Sequence, residues 1–143
     1  MTKVSKEKFF QKSKNIDEYL KYLDQIKKEL KGEKDKFIND FHFYGLVERY
    51  LQLAIQTFID SVAMLIINLE LEKPENNQEA ISLLYNHGII SADLAERLEG
   101  MIGFRNILVH EYDDIDREKV YEFFISRLDD LKDFQKALIK YLN

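Results

Sequence analysis

The sequence predicts an all-α fold, an antiparallel bundle of four main helices with a short connecting helix, and three observations carry that expectation. Five Gly and one Pro in 143 residues are too few for the many tight turns of a β-sandwich or barrel. Apolar residues recur at three- and four-residue spacing through most of the chain. Cys is absent, which excludes a disulfide framework and any thiolate metal site. The length fits one domain, residues 1–143, able to bury roughly two-thirds of its unfolded surface. No apolar run approaches the ~18–20 residues of a membrane span, and no apolar stretch follows the Lys-rich start. The expectation is a cytoplasmic chain with no membrane contact.

The first helix is expected from about Asn15 to Lys31. Asn15 and Glu18 have the spacing of a capping box, and Ile16, Tyr19, Leu20, Leu23, Ile26 and Leu30 form one stripe. Gly32 stands where a helix C-terminus wants a left-handed residue. A second helix, from about Lys36 to Leu71, is apolar on most sides, as a buried helix is. Phe37, Phe41, Tyr44, Leu51, Ala54, Phe58, Leu65 and Leu69 share its main face. A narrow polar row survives on it: Arg49, Gln52, Gln56 and Asp60. Such a row is read either as mutually satisfied hydrogen bonds or as a support for a site on a neighbouring helix.

Pro74, Asn76 and Asn77 end that helix, and residues 78–86 form the short connection. Ser91 caps the next helix, with Asp93 in its first turn. Its apolar seam reads Leu94, Leu98, Met101 and Leu108, and the missing member is Arg105. A last helix runs from about Asp116 to Leu142, capped by Asp114 or Asp116. Val120, Phe123, Phe124, Leu128, Leu131, Phe134, Leu138 and Tyr141 form its stripe.

A guanidinium where the pattern asks for Leu is costly unless a partner charge or an anionic ligand meets it. Positions 106–109 offer none, reading Asn, Ile, Leu, Val; then come His110, Glu111 and Tyr112. Arg105 and His110 lie about 140° apart around an ideal helix. They converge if the helix ends near Val109, or if the two residues of different protomers meet across a two-fold axis. An Arg fork matches phosphate oxygens, and a His titrating near neutrality serves as base or acid. That pair suits an anionic, phosphate-bearing ligand.

The segment Gly103-Phe104-Arg105-Asn106-Ile107-Leu108-Val109-His110-Glu111-Tyr112 resembles the signature of HEPN-domain proteins, and of their HepT branch above all. The mark of that branch is Arg, four residues, His, any residue, Tyr. VERYLQLAIQTFID (47–60), HGIISADLAERLEGMIGFRN (87–106) and DIDREKVYEFF resemble its other helices, so the likeness spans roughly residues 37–140. The resemblance implies a HEPN-like bundle and a metal-independent endoribonuclease, the toxin of a toxin–antitoxin pair working as a homodimer on RNA. It implies Arg105 and His110 as catalytic, Asn106 as a helper, and Tyr112 as the residue to which a minimal nucleotidyltransferase antitoxin transfers AMP. Arg49, Gln56 and Asp60 are candidates for a supporting shell, although the branch often has Glu where Gln56 stands. The alternative is a non-catalytic partner of such a nucleotidyltransferase, binding its nucleotide or substrate.

No cofactor and no metal are expected. His42 and His87 lack a second ligand at metal spacing, and Asp113, Asp114 and Asp116 lack the Gly and bidentate Glu of an EF-hand. No Gly-rich phosphate loop is present. The net charge is −5, distributed unevenly: residues 1–36 hold eleven Lys against seven acidic side chains, and 37–143 hold ten basic against nineteen acidic. The Lys-rich start is read as a solvated helix face or as a surface for an anionic partner.

Overall fold

The computed structural model describes residues 3–108 and 115–143, and these form an all-α bundle. Helix α1 (Lys3–Leu30) is followed by α2 (Lys34–Asn39), α3 (Phe41–Asn68), α4 (Asn77–Asn86), α5 (Ala92–Leu108), α6 (Arg117–Ser126) and α7 (Leu128–Leu142). The long α3 lies at the centre, packed by α1, α2, α4, α5 and α6, while α7 closes the bundle against α1 and α5. By length and composition α3 could also cross a membrane, against the sequence expectation that nothing in the chain approaches a span. Here Leu51, Ile55, Phe58 and Leu65 of that helix are buried in the core.

Three boundaries differ from the sequence reading, each for a tertiary reason. Helix α1 begins at Lys3, so Asn15 is mid-helix and caps nothing; its side chain accepts from Gln11 Nε2 at 3.1 Å. The extra turns are held by the buried Phe9 and by Ser13, whose hydroxyl donates to Gln135 Oε1 of α7 at 2.9 Å. The second helix is broken at Asp40, which has extended backbone and closes α2 while capping α3. Its carboxylate accepts from His42 N at 2.9 Å, a local bond that competes with helix continuation. The break separates Phe37, buried against Tyr121 and Phe124, from Phe41, which is 64% exposed although the stripe placed it inward.

The last helix is broken at Arg127, whose side chain is drawn inward to Asp130 and to the carbonyl of Arg97. Tyr141, at its far end, is exposed instead of buried. Other expectations hold. Lys31 and Gly32 both have positive φ after α1, Ser91 Oγ accepts from Leu94 N, and Asp116 accepts from Lys119 N. Asp114, the other candidate cap, lies outside the described residues.

Candidate active site

Helix α5 presents Leu94, Leu98, Met101 and Leu108 to the core, and Arg105 occupies the same seam half-buried. Its neighbour Phe104 fixes the rotation of the helix: the ring stacks on Phe123 of α6 with centroids 3.9 Å apart and planes 3° from parallel. Two turns earlier Arg97 bonds Asp130 and Asp133 of α7 at 3.0 and 2.9 Å, pinning α5 to the opposite side of the bundle. The guanidinium of Arg105 is therefore carried on a helix held from two directions.

Arg105 Nη2 donates to Gln56 Oε1 of α3 at 2.9 Å, and Gln56 Nε2 donates in turn to Asp60 Oδ1 at 2.9 Å. An amide has one acceptor end and one donor end, so only this orientation satisfies both neighbours. The consequence is electrostatic. Gln56 orients the guanidinium without neutralising it, and among the described residues no carboxylate pairs with Arg105. A cation on an apolar seam, held by a neutral group and with no further hydrogen bond among the described residues, is suited to meet an anion.

The structure thus brings together Arg105, Gln56 and Asp60. Asn106 follows Arg105 and is exposed. Arg49 is exposed on α3, two turns from Gln56, and forms no hydrogen bond with that row among the described residues. His110 and Tyr112 lie outside the described residues. No group of three or more His, Asp or Glu is placed to hold a metal among those that are described.

Sequence reasoning passed over Glu48, which sits on α3 one and two turns before Gln52 and Gln56. Its Oε1 is buried and has no hydrogen-bond partner among the described residues. Burial pushes its carboxyl above the usual glutamate range, while Arg117, stacked 3.8 Å over the Tyr44 ring, pulls it back down. A raised carboxyl means the folded state holds the proton more tightly than the unfolded chain. The associated stability is full below the ordinary glutamate range and is lost as pH rises through the folded value. Glu48→Gln is expected to melt higher than wild type at neutral pH, with the gain vanishing in acid below that range; paired melting curves at the two pH values check it.

A protein-family model described as Ribonuclease HepT-like matches residues 16–138. The chain belongs to the HepT-like family. Among its relatives, the tRNA nuclease HepT of Aphanizomenon flos-aquae is 37% identical over 101 residues, which is 71% of this chain and 69% of that protein. The mRNA nuclease HepT of Shewanella oneidensis is 27% identical over 103 residues, covering 72% of this chain and 77% of the relative. The HepT-like fold is also seen in a solved structure described as a tri-AMPylated Shewanella oneidensis HEPN toxin in complex with MNT antitoxin. That structure is 24% identical, has a TM-score of 0.81, and covers 98% of this chain and 99% of its own.

Proposed function

We propose that this HepT-like chain is an endoribonuclease toxin that cuts RNA through its 2′-OH without a metal, with Arg105 and His110 as the catalytic residues. The observation that carries the reading is the seam-placed Arg105, oriented by a neutral amide and with no carboxylate partner among the described residues. Family membership supports it, as do the nuclease names of the relatives. In the step proposed, the ribose 2′-oxygen attacks the adjacent phosphorus while a base takes its proton. The bond from phosphorus to the 5′-oxygen breaks, and an acid protonates the departing oxygen. The products are a 2′,3′-cyclic phosphate and a 5′-hydroxyl. Arg105 stabilises the negative charge that gathers on the phosphorane oxygens, and His110 supplies base or acid catalysis. Gln56 and Asp60 position the guanidinium, and Asn106 is a helper beside it.

One His110 per chain, with two proton transfers to perform, fits a homodimer in which two motifs share a cleft. The antitoxin partner in this reading is a minimal nucleotidyltransferase, in line with the toxin–antitoxin complex whose fold this chain shares. AMP attached to Tyr112 adds bulk and at least one negative charge two residues from His110, and Arg105 pairs with that phosphate in place of RNA.

The test is purified protein, shown by mass to be unmodified at Tyr112, incubated with mixed cellular RNA in excess EDTA. Cleavage to cyclic-phosphate ends is expected, with none of a fully 2′-O-methylated RNA of the same sequence. Absence of cleavage overturns the toxin reading in favour of a non-catalytic partner of the nucleotidyltransferase. Cleavage of the methylated RNA overturns the 2′-OH route.

A further inference from the structure

Two of the Lys in residues 1–36 meet two Lys of α7 across one groove, whose lining also holds Asp17 and Asp24. Helices α1 and α7 border a surface groove of about 760 Å³, and it shares no lining residue with the Arg105–Gln56–Asp60 row. Lys21 and Lys28 stand two turns apart on its α1 wall, about 10 Å along the helix. Lys136 stands on the α7 wall. All three are exposed, and among the described residues none has an ion-pair partner.

Of the two acidic side chains in the groove, Asp24 is matched by a cation and Asp17, exposed, keeps its charge. Asp24 pairs with Lys132 at 3.0 Å, and Asp17 accepts from the amide of Gln135. Gln135 is itself buried, with its amide also donating to the carbonyl of Ser13 at 3.1 Å, so the floor is a satisfied and rigid one. What remains is three ammonium groups against the one carboxylate of Asp17, a net of two positive charges, in a protein whose net charge is −5. No aromatic ring lines the groove to stack on a base.

We infer that the α1–α7 groove docks the sugar–phosphate backbone of the RNA, outside the cleavage site and without regard to sequence; this rests on the ribonuclease reading above. Ammonium groups on two facing walls neutralise successive phosphates and release their counterions. The groove thereby overcomes the repulsion that an acidic protein exerts on a polyanion. A long RNA gains from it, whereas a dinucleotide, too short to reach from the cleavage site, does not.

The probe is a mixed-sequence 30-nucleotide RNA, fully 2′-O-methylated, titrated over a range of NaCl concentrations against wild type, K21Q/K28Q/K136Q and K21R/K28R/K136R. Three single-strand phosphate contacts are worth about 2 in the slope of log affinity against log salt. The Gln variant is expected to lose about that much slope and the Arg variant to keep it, with melting temperatures unchanged. On native RNA the Gln variant is expected to show a raised KM for long substrates, an unchanged kcat, and dinucleotide cleavage equal to wild type. A wild-type slope in the Gln variant overturns the inference. So does loss of binding to phosphatidylserine vesicles with RNA binding intact, which would make the groove a membrane contact. If wild type binds the methylated RNA through the groove yet cuts no native RNA, the docking track stands and the ribonuclease reading falls.

Discussion

Arg105→Ala is expected to lower RNA cleavage on the order of 10²–10³-fold while leaving the melting temperature close to wild type. The two halves of that expectation come from one geometry. The guanidinium is half-buried and bonded to a neutral amide, so its removal strands no buried charge and leaves Gln56 with its bond to Asp60. On the proposed mechanism, the group lost is the cation offered to the phosphorane. Arg105→Lys restores the charge but not the fork, and is expected to recover activity only in part. His110→Ala is expected to fall within a similar range, on the order of 10²–10⁴-fold, by loss of proton transfer. Single-turnover cleavage beside a thermal melt checks both. An Arg105→Ala protein cutting RNA at the wild-type rate would remove the Arg from the mechanism.

Asp130→Asn carries the largest expected effect on stability. The carboxylate is 3% exposed and accepts from two guanidiniums, Arg97 Nη1 at 3.0 Å and Arg127 Nε at 2.6 Å. Arg97 also bonds Asp133 and Asp93, and Arg127 donates to the carbonyl of Arg97 at 3.0 Å. With so many carboxylates around it, the Arg97 guanidinium holds its proton well above the usual arginine range. An Asn keeps the shape of Asp130 but sets an amide N–H donor against groups that only donate. Removing one charge from a buried network costs about 3–5 kcal/mol. For a chain of this size that corresponds to a fall of roughly 10–20 °C in melting temperature. Calorimetry of the purified variant checks it; a melting temperature within about 3 °C of wild type would mean that water replaces the carboxylate at no cost.

Much of the bundle was legible from periodicity, because burial acts on every third or fourth residue and leaves a regular trace. Ile16 through Leu30, Leu94 through Met101, and Val120 through Phe134 all face the core as that trace requires. Arg105 was legible for the same reason, as the residue that interrupts it. The breaks at Asp40 and Arg127 were not, since each is one residue long and the apolar pattern continues on both sides. Asn15 has the sequence of a cap and lies mid-helix, because contacts more than a hundred residues away in the chain, such as Ser13 with Gln135, extend α1 past it. Arg97 likewise looks like half of an ordinary i,i+4 surface pair with Asp93, and its bonds across to α7 have no local signature. Glu48 shares the face of Gln52 and Gln56, but only the packing of Arg117 and Tyr44 around it shows that one oxygen is enclosed.

The placement of the Asp130 network bears on how this protein can vary. It grips α5 at Arg97, eight residues or about 12 Å before Arg105, and Gly100 lies between them where a Cβ would come within 3.0 Å of Arg127 Nη2. Arg105 is thus held from both sides, by α7 through Arg97 and by Phe123 and Gln56 next to the guanidinium itself. On the mechanism proposed above, substitutions at Arg105 itself remove the phosphate-facing cation outright. Those at Gly100 or Asp133 disturb one anchor and leave the other, so on that reading a lineage has a graded way to attenuate the activity without surrendering Arg105.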